Sequence, residues 1–297
     1  LAWIPRRAGE RGALEAGAIG NLLPGGRPVT DSAARVDLQA AWGVENLPSG
    51  IGRDTDAILQ DLHDGKIEAL LVGGVDPLDI SAHHHDGLAK AFVVSLEIRH
   101  SAITEIANVV LPVAAVVEKS GTFVNWEGRG RSFETAIEDS LTRSDVRILS
   151  MLADQMGTPI NLPTVTAARE EFNSLGNWES RSSFTPVAAT SASVPSDKAL
   201  LSSWRLLLDA GSLQDGENNL AGTVHPSVAV ISAKRAQSLG VTNGDQIAVV
   251  TSQGSITLPC EIGEIEENSV WIPRNSVGSH VIATLGVASG PVSVVKA

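Results

Sequence analysis

The sequence predicts an α/β domain with a doubly wound, mostly parallel sheet, followed by a second domain of short β-strands. Between residues 54 and 175, short apolar runs alternate with amphipathic segments, which is typical of parallel sheets joined by right-handed crossovers. Beyond residue 200, apolar stretches of strand length are separated by tight turns such as Asn243-Gly244-Asp245, and this pattern favours an all-β unit.

The elements of the α/β domain are predicted from capping residues and buried runs. Asp54 or Thr55 can cap a helix that ends near Gly65, where left-handed backbone is favoured. The apolar run 67–72 is typical of a strand buried on both faces. After it we expect a helix near Ser81, a strand over 91–98, a short helix over 101–107 and a strand over 109–111.

A longer helix is predicted to begin after Ser144, which can cap it, and to stop at Gly157. Its buried side is expected to carry Val146, Leu149, Leu152, Ala153 and Met156. A short helix near 167–175 follows. In the β domain we expect one helix over 233–239 and strands over 204–208, 228–231, 246–250, 255–262, 270–272 and 292–295.

The composition along the chain predicts the domain boundaries. Residues 1–53 are rich in Gly, Pro and Arg, lack periodicity, and are predicted to be an irregular segment that continues an upstream domain. Residues 176–200, with many Ser, Thr, Ala and Pro, are predicted to link the α/β domain at 54–175 to the β domain at 201–297. Because the chain opens at Leu1, without methionine, we expect a fragment of a longer polypeptide.

Charge and cysteine content exclude several classes of function. A net charge of −12 disfavours nucleic-acid binding, because neutralising phosphates needs clustered Lys and Arg. No window approaches the roughly 18 consecutive apolar residues of a membrane-spanning helix, so we expect no direct membrane insertion. The single cysteine, Cys260, excludes an intramolecular disulfide and any cysteine-ligated zinc or iron–sulfur site built from this chain alone.

The sequence predicts no metal site and no catalytic group. The three histidines at 83–85 are adjacent, and adjacent side chains point in different directions on a helix or a strand, so they cannot close one tetrahedral site. A nucleophile elbow with a Ser-His-Asp set and a phosphate-binding Gly-Lys-Ser loop are also missing from the sequence.

One candidate ligand site follows the strand predicted at 67–72. Ligands of open parallel sheets bind beyond the carboxyl ends of the strands, and Gly73 and Gly74 permit a phosphate or a base to approach the backbone closely. Asp76 can accept hydrogen bonds from guanine or ribose. A Gly-Gly-x-Asp-Pro sequence is also a good exit turn from a strand, so both interpretations stay open.

The runs 107–113 and 118–129 resemble a family signature. A buried strand that ends at a proline, followed by a loop with Glu118, Asn125 and Glu127, is similar to the molybdopterin oxidoreductase superfamily, whose domains hold a pterin dinucleotide beside such loops and which includes non-catalytic members. The resemblance implies a vestigial pocket, with the candidate residues Gly73, Gly74, Asp76, Glu118, Gly121, Thr122 and Asn125.

The loop residues of this signature also have structural interpretations. Gly121 can adopt a positive φ, and Phe123 can fill the core. Thr122 and Asn125 can satisfy backbone groups of a turn. The segment 239–247 is similar to the hallmark of the double-psi β-barrel that closes members of this superfamily, so the resemblance implies that the second domain is such a barrel.

The segments 3–13 and 21–28 narrow the resemblance to the large iron–sulfur subunits of bacterial NADH-quinone oxidoreductases, the enzymes also called respiratory complex I. This resemblance implies that the chain is the C-terminal part of such a subunit, within an enzyme complex. It also implies that this part is non-catalytic and has no cofactor of its own, and that the iron–sulfur clusters lie in the missing N-terminal part. The implied partners are other peripheral-arm subunits on the cytoplasmic side of the plasma membrane. The first alternative is the C-terminal half of an active formate- or nitrate-type molybdopterin oxidoreductase, and the second is a free-standing binding module.

Overall fold

The computed structural model describes residues 9–75, 85–138, 140–179 and 194–297. The chain forms two compact units. The first comprises residues 1–61, 66–74 and 91–186, and the second comprises 62–65, 75–90 and 187–297. Asp76, His83, His84 and most of the predicted linker therefore lie outside the described residues.

Up to residue 179 the chain alternates helices and short strands. The helices are α1 (Glu10–Glu15), α2 (Ser32–Trp42), α3 (Thr55–His63), α4 (His85–Lys90), α5 (Ala102–Ile106), α6 (Asp145–Gln155) and α7 (Val165–Leu175). The strands are β1 (Leu22–Leu23), β2 (Arg27–Pro28), β3 (Ala69–Gly73), β4 (Phe92–Glu97), β5 (Val109–Pro112), β6 (Gly121–Val124) and β7 (Gly130–Phe133).

The main sheet of the first unit has the order β3-β4-β5, and all its strands are parallel, as predicted. Because spatial order follows chain order, the described strands contain no point at which the direction of winding reverses. A doubly wound sheet needs such a reversal. The described strands therefore confirm the parallel sheet, while its double winding stays a prediction.

The interpretation of residues 1–53 as irregular is wrong for α2. Asp31 caps this helix, since its Oδ1 accepts from the N–H groups of Ala33 and Ala34 at 2.9 and 3.3 Å. Only Ala34 and Leu38 are buried on it. A helix with so narrow an apolar face gives little periodicity in the sequence, which explains why the pattern missed it.

The caps predicted for α3 and α6 are confirmed, but the buried face of α6 is partly wrong. Asp54 Oδ1 accepts from Ala57 N at 2.9 Å, and Ser144 Oγ accepts from Arg147 N at 3.4 Å. On α6 the buried residue is Ser150, whereas Leu149 and Met156 are 37% and 73% exposed. The face of α6 that the apolar residues predict to be buried therefore differs from the face that is buried in the structure.

The second unit contains a closed six-stranded barrel in the order β10-β11-β9-β12-β8-β15. Its pairs β9–β11 and β8–β12 are parallel, whereas the other four are antiparallel. The elements from residue 194 onward are β8 (Ala199–Trp204), α8 (Asn218–Ala221), β9 (Ala229–Ile231), α9 (Ala233–Leu239), β10 (Gln246–Val250), β11 (Ser255–Ile262), β12 (Ser269–Pro273), β13 (Asn275–Ser276), β14 (Ser279–His280), α10 (Val281–Leu285) and β15 (Gly290–Lys296).

The predicted strands at 246–250 and 255–262 and the predicted helix at 233–239 match β10, β11 and α9. The strand predicted at 204–208 is wrong, because β8 lies at 199–204 and begins inside the predicted linker. Ile231, Ile247, Val249, Val270 and Ile272 are fully buried and fill the barrel, and Cys260 is buried beside them as a free thiol. Burial raises the pKa of that thiol, which suits a structural residue.

Candidate functional site

Gly73 and Gly74 lie at the carboxyl edge of the parallel sheet, as the sequence predicts. Gly73 pairs with Leu96 of β4 and ends β3. Gly74 has a φ of 64°, which favours glycine, and its N–H donates to Leu96 O at 3.2 Å. These contacts match the exit-turn interpretation. Asp76, the third candidate of this turn, lies outside the described residues.

Glu118 closes the loop that follows β5. Its Oε2 accepts from Ala115 N at 2.8 Å and from Thr142 Oγ1 at 3.2 Å. The hydrogen bond from Ala115, followed by those from Ser140 and Thr142, holds the pKa of Glu118 below its ordinary value. The carboxylate is therefore charged at neutral pH and is engaged by neighbouring groups of its own chain.

Gly121 opens the hairpin formed by β6 and β7, and its role differs from the predicted one. It does not have the positive φ that we expected. A Cβ atom at this position would lie 2.5 Å from Cζ of Phe133, so the ring of Phe133 occupies the space that a side chain would need. Phe133 stacks on Phe123, with ring centroids 5.2 Å apart. Phe123 is 41% exposed, so the expectation that it fills the core is wrong.

Asn125 shapes the hairpin turn, as its structural interpretation predicts. Its Oδ1 accepts from Glu127 N at 3.0 Å and from Arg129 N at 2.9 Å. The Asn125 N–H also donates to Arg129 O at 3.0 Å. With its side-chain oxygen already engaged twice, Asn125 serves the backbone of its own turn.

A groove of about 860 Å³ lies within the first unit between α1, α7 and the β6–β7 hairpin. Among the predicted candidates that the structure describes, Thr122 alone lines this groove. The side-chain Nε atoms of Arg11 and Arg169 are buried without hydrogen-bond partners. Arg169 Nη2 donates to Gly121 O at 3.1 Å, which ties α7 to the hairpin. The charged lining residues are Arg11, Arg169, Glu15, Glu127 and Glu171, two cations against three anions.

Arg27 is a structural residue that sequence reasoning missed. It is 3% exposed, and Nη1 donates to the carbonyls of Pro24 and Gly176 at 2.9 and 3.0 Å. Nη2 donates to Leu175 O at 2.8 Å, and Nε donates to Asp37 Oδ2 at 2.8 Å. The guanidinium thus joins the chain near residue 25 to the end of α7. Nothing in the sequence marks partners so far apart along the chain.

The described part of the chain provides neither a metal cluster nor a membrane-spanning element. In it, no group of three or more His, Cys, Asp or Glu side chains is arranged to hold a metal ion. None of its helices combines the length and apolarity that crossing a bilayer requires.

Comparison with known proteins identifies relatives over the whole chain. The family model for molybdopterin oxidoreductase matches residues 4–155, about half of the 297 residues. An NADH-quinone oxidoreductase subunit of Mycobacterium bovis is 50% identical over the full chain, and its counterpart in Streptomyces coelicolor is 47% identical over 98% of it. The resemblance to this subunit family drawn from the sequence is confirmed. The chain spans 38% and 36% of the lengths of these relatives.

More distant relatives carry other names. A nitrate reductase of Symbiobacterium thermophilum is 32% identical over 58% of this chain and 24% of its own length. Among solved structures, the acetylene hydratase of Pelobacter acetylenicus matches 82% of this chain and 42% of its own, with a TM-score of 0.53 and 18% sequence identity. At that identity the likeness concerns the fold alone.

Proposed function

Because the chain belongs to the molybdopterin oxidoreductase family, we propose that it is the C-terminal part of the large iron–sulfur subunit of an NADH-quinone oxidoreductase. The observation that carries this proposal is the 50% identity over the whole chain to the NADH-quinone oxidoreductase subunit of Mycobacterium bovis. In the proposed role the chain is a non-catalytic scaffold of the peripheral arm that supports the electron path from NADH to quinone.

A partly exposed apolar face on the parallel sheet supports a packing role. Strand register places Leu71, Val94 and Val109 in one row, and Phe92 lies on the same face as Val94 because it is two residues away on β4. Leu71, Phe92 and Val109 are 47%, 52% and 37% exposed. Parallel sheets are normally covered on both faces. We therefore assign this face to contact with the remainder of a longer polypeptide, which would also complete a doubly wound sheet.

Three of the described candidate residues, Gly121, Glu118 and Asn125, are engaged by their own chain, which argues against their binding a pterin dinucleotide. Phe133 fills the space at Gly121, and the side-chain oxygens of Glu118 and Asn125 are engaged within their own loop. Cys260, which could offer a sulfur ligand, is buried in the barrel. In the proposed role the segment holds no cofactor of its own, and iron–sulfur clusters would be ligated by the upstream part of the polypeptide.

The parallel pairs β9–β11 and β8–β12 support the double-psi arrangement for the barrel, since they add parallel pairing to an otherwise antiparallel barrel. The proposed location is the cytoplasmic side of the plasma membrane, where other peripheral-arm subunits would be the partners. The net charge of −12 suits protein partners better than nucleic acid.

A second candidate function is the C-terminal half of an active formate- or nitrate-type molybdopterin oxidoreductase. The 32% identity to a nitrate reductase over 58% of the chain favours it. In that case an upstream segment would supply the metal ligand, because no group of three or more His, Cys, Asp or Glu side chains among the described residues is arranged to hold a metal ion.

Metal analysis of the full-length protein, purified from the organism that encodes it, separates the two candidates. The scaffold proposal expects iron without stoichiometric molybdenum or tungsten, no fluorescent pterin after acid denaturation, and co-purification with NADH oxidation activity. Stoichiometric molybdenum together with a releasable pterin would refute the proposal and establish the second candidate.

A further inference from the structure

The β6–β7 hairpin is held in one conformation by its own contacts. Asn125 bonds the backbone of Glu127 and Arg129, and Gly128 provides the positive φ of 83° that the turn needs. The stacked rings of Phe123 and Phe133 join the two strands near the open end of the hairpin. A surface that is fixed in advance loses little conformational entropy when a partner binds to it.

The hairpin presents the residue types that dominate protein interfaces. Trp126 and Phe123 are 51% and 41% exposed, and the side chain of Arg129 is 63% exposed. Arg131 is also exposed, and its guanidinium has no hydrogen-bond or ion-pair partner in the part of the chain that the structure describes. Tryptophan and arginine are enriched among the residues that contribute most to binding energy.

The charge of the hairpin is opposite to that of the chain. Residues 121–133 contain Arg129 and Arg131 against Glu127, so their formal charge is +1, whereas the whole chain carries −12. Glu127 Oε2 lies 3.3 Å from Arg129 Nε, a contact that orients the guanidinium at the tip. A positive tip on an acidic protein favours partners that present carboxylates.

We propose that the hairpin tip docks onto an acidic surface of another protein subunit, with Trp126 in an apolar recess and Arg129 and Arg131 facing carboxylates. This inference rests on the proposed function, which assigns the chain to a multisubunit assembly. An anionic membrane fits the hairpin less well, because polybasic lipid sites use about 4–8 Lys or Arg residues and the hairpin has two. The groove beside the hairpin shares Phe123 and Glu127 with it, and the mixed charges of the groove select no anion.

Photo-crosslinking tests which molecule meets the tip. A photoreactive phenylalanine analogue replaces Trp126 in the full-length protein, and the native assembly is irradiated in its membranes and then digested for mass spectrometry. The expected crosslink joins position 126 to an Asp- or Glu-rich segment of a different subunit. The same analogue in place of Leu207, which is 98% exposed in the second unit, serves as the control position.

Substitutions test the energetic role of the tip in the same assembly. We expect Trp126→Ala to speed dissociation of the full-length protein from its partners about tenfold. The double change Arg129→Glu and Arg131→Glu should act similarly, and its effect should be largest at low ionic strength because salt screens charge pairs. Arg143→Glu, at an exposed arginine outside the hairpin, and Leu207→Ala are the matched controls and should leave dissociation unchanged.

Three outcomes would overturn the docking proposal. They are crosslinks only to lipid, only to a second copy or another part of the same polypeptide, or no crosslink at all with unchanged dissociation. If a substituted variant fails to fold, as judged by circular dichroism, the crosslink formed by the folded protein that carries the photoreactive analogue still tests the docking proposal. A molybdenum-loaded protein that crosslinks to an acidic subunit would refute the proposed function alone, whereas an iron-only assembly without the crosslink would refute the docking alone.

Discussion

Gly121 shows how one missing side chain allows the hairpin to form. The ring of Phe133 occupies the position that a Cβ atom would take, with only 2.5 Å between them. We expect Gly121→Ala to lower the free energy of unfolding by about 1–3 kcal/mol, because overpacking displaces a ring that is stacked on Phe123. Chemical denaturation of the full chain measures this change.

Gly50→Ala is the control for the Gly121 variant, since a Cβ atom at Gly50 meets nothing within 4 Å and its backbone is not left-handed. The free energy of unfolding of this control should stay within about 0.5 kcal/mol of the parent value. Adding Phe133→Leu to Gly121→Ala should recover part of the lost stability, because the ring that crowds the new Cβ atom is then absent. Equal stability of the parent and Gly121→Ala would contradict the packing argument.

Glu118 makes stability depend on pH in a direction that its contacts determine. Hydrogen bonds from Ala115, Ser140 and Thr142 hold its pKa below the ordinary value of 4.5, so the native state favours the carboxylate more than the unfolded chain does. The resulting stabilisation is present above the unfolded pKa and is lost as the pH falls through the lower native pKa. Glu118→Gln should therefore flatten the acid side of the stability profile.

Thermal unfolding of the parent and of Glu118→Gln, followed from neutral to acidic pH, measures this difference. Glu138→Gln is a suitable control, because Glu138 is exposed and forms no hydrogen bond or ion pair among the described residues. The dependence of stability on pH should be the same for this control as for the parent. Parallel profiles for the parent and Glu118→Gln would show that the carboxylate adds nothing through its loop contacts.

At the residue scale, the sequence predicts the turn role of Asn125 correctly, because an Asn side chain that bonds a local backbone needs only its neighbours in the chain. It fails for Gly121 and Phe123. Their environment depends on Phe133 across the hairpin, and the sequence does not state which ring stacks on which. The binding role of the candidate residues stays a prediction, and Asp76 lies outside the described residues.

At the scale of elements, Arg27 fastens the end of α7 to the chain before β2. It donates to three carbonyl oxygens, those of Pro24, Leu175 and Gly176. We expect Arg27→Met to cost about 3 kcal/mol of unfolding free energy, since buried carbonyls would lose their donors. Arg27→Lys should recover little, because a single ammonium cannot reproduce the planar fork.

Denaturant titration of both Arg27 variants checks this prediction, and Arg143→Ala is the control because Arg143 is exposed. A full recovery of stability by lysine would show that charge, rather than guanidinium geometry, is what matters. The ion pair with Asp37 is expected to contribute little, since Asp37 is 47% exposed and solvent screens it.

A second element-scale prediction concerns the barrel. Ile247 is fully buried in its core, so Ile247→Ala should destabilise the protein by about 2–5 kcal/mol through lost contacts and the cavity that remains. Val295→Ala, on the neighbouring strand β15, is the control, because Val295 is 45% exposed. Calorimetry compares the two, and equal transition temperatures would contradict the assignment of Ile247 to the core.

Elements were predictable from the sequence where local signals are strong. β10, β11 and α9 follow from alternating apolar residues and well-defined turns, and their predicted bounds match. The sequence does not predict α2, because only Ala34 and Leu38 of this helix are buried. It predicts β8 at the wrong position, because β8 begins in a segment whose composition is typical of a linker. The exposed Leu149 and Met156 of α6 show that an apolar residue does not by itself choose the buried face.

At the scale of the whole molecule, the exposed sheet face bears on how the chain behaves outside a larger assembly. If Leu71, Phe92 and Val109 contact the remainder of a longer polypeptide, Phe92→Ser should reduce self-association of this chain and also impair incorporation of the full-length protein. Light scattering measures the first effect and yield of the purified assembly the second. Leu207→Ser, at a fully exposed site in the second unit, should change neither.

Closure of the barrel has a consequence for misfolding. Each of its six strands has a neighbour on both sides, so its backbone offers no template for a foreign strand. Among the described residues, β3 and β5 are the edge strands of an open sheet, and each pairs with another strand of that sheet on one side only. Amyloid-like or domain-swapped species of this polypeptide should therefore nucleate at those edge strands, and the barrel should survive within them as a protease-resistant remnant.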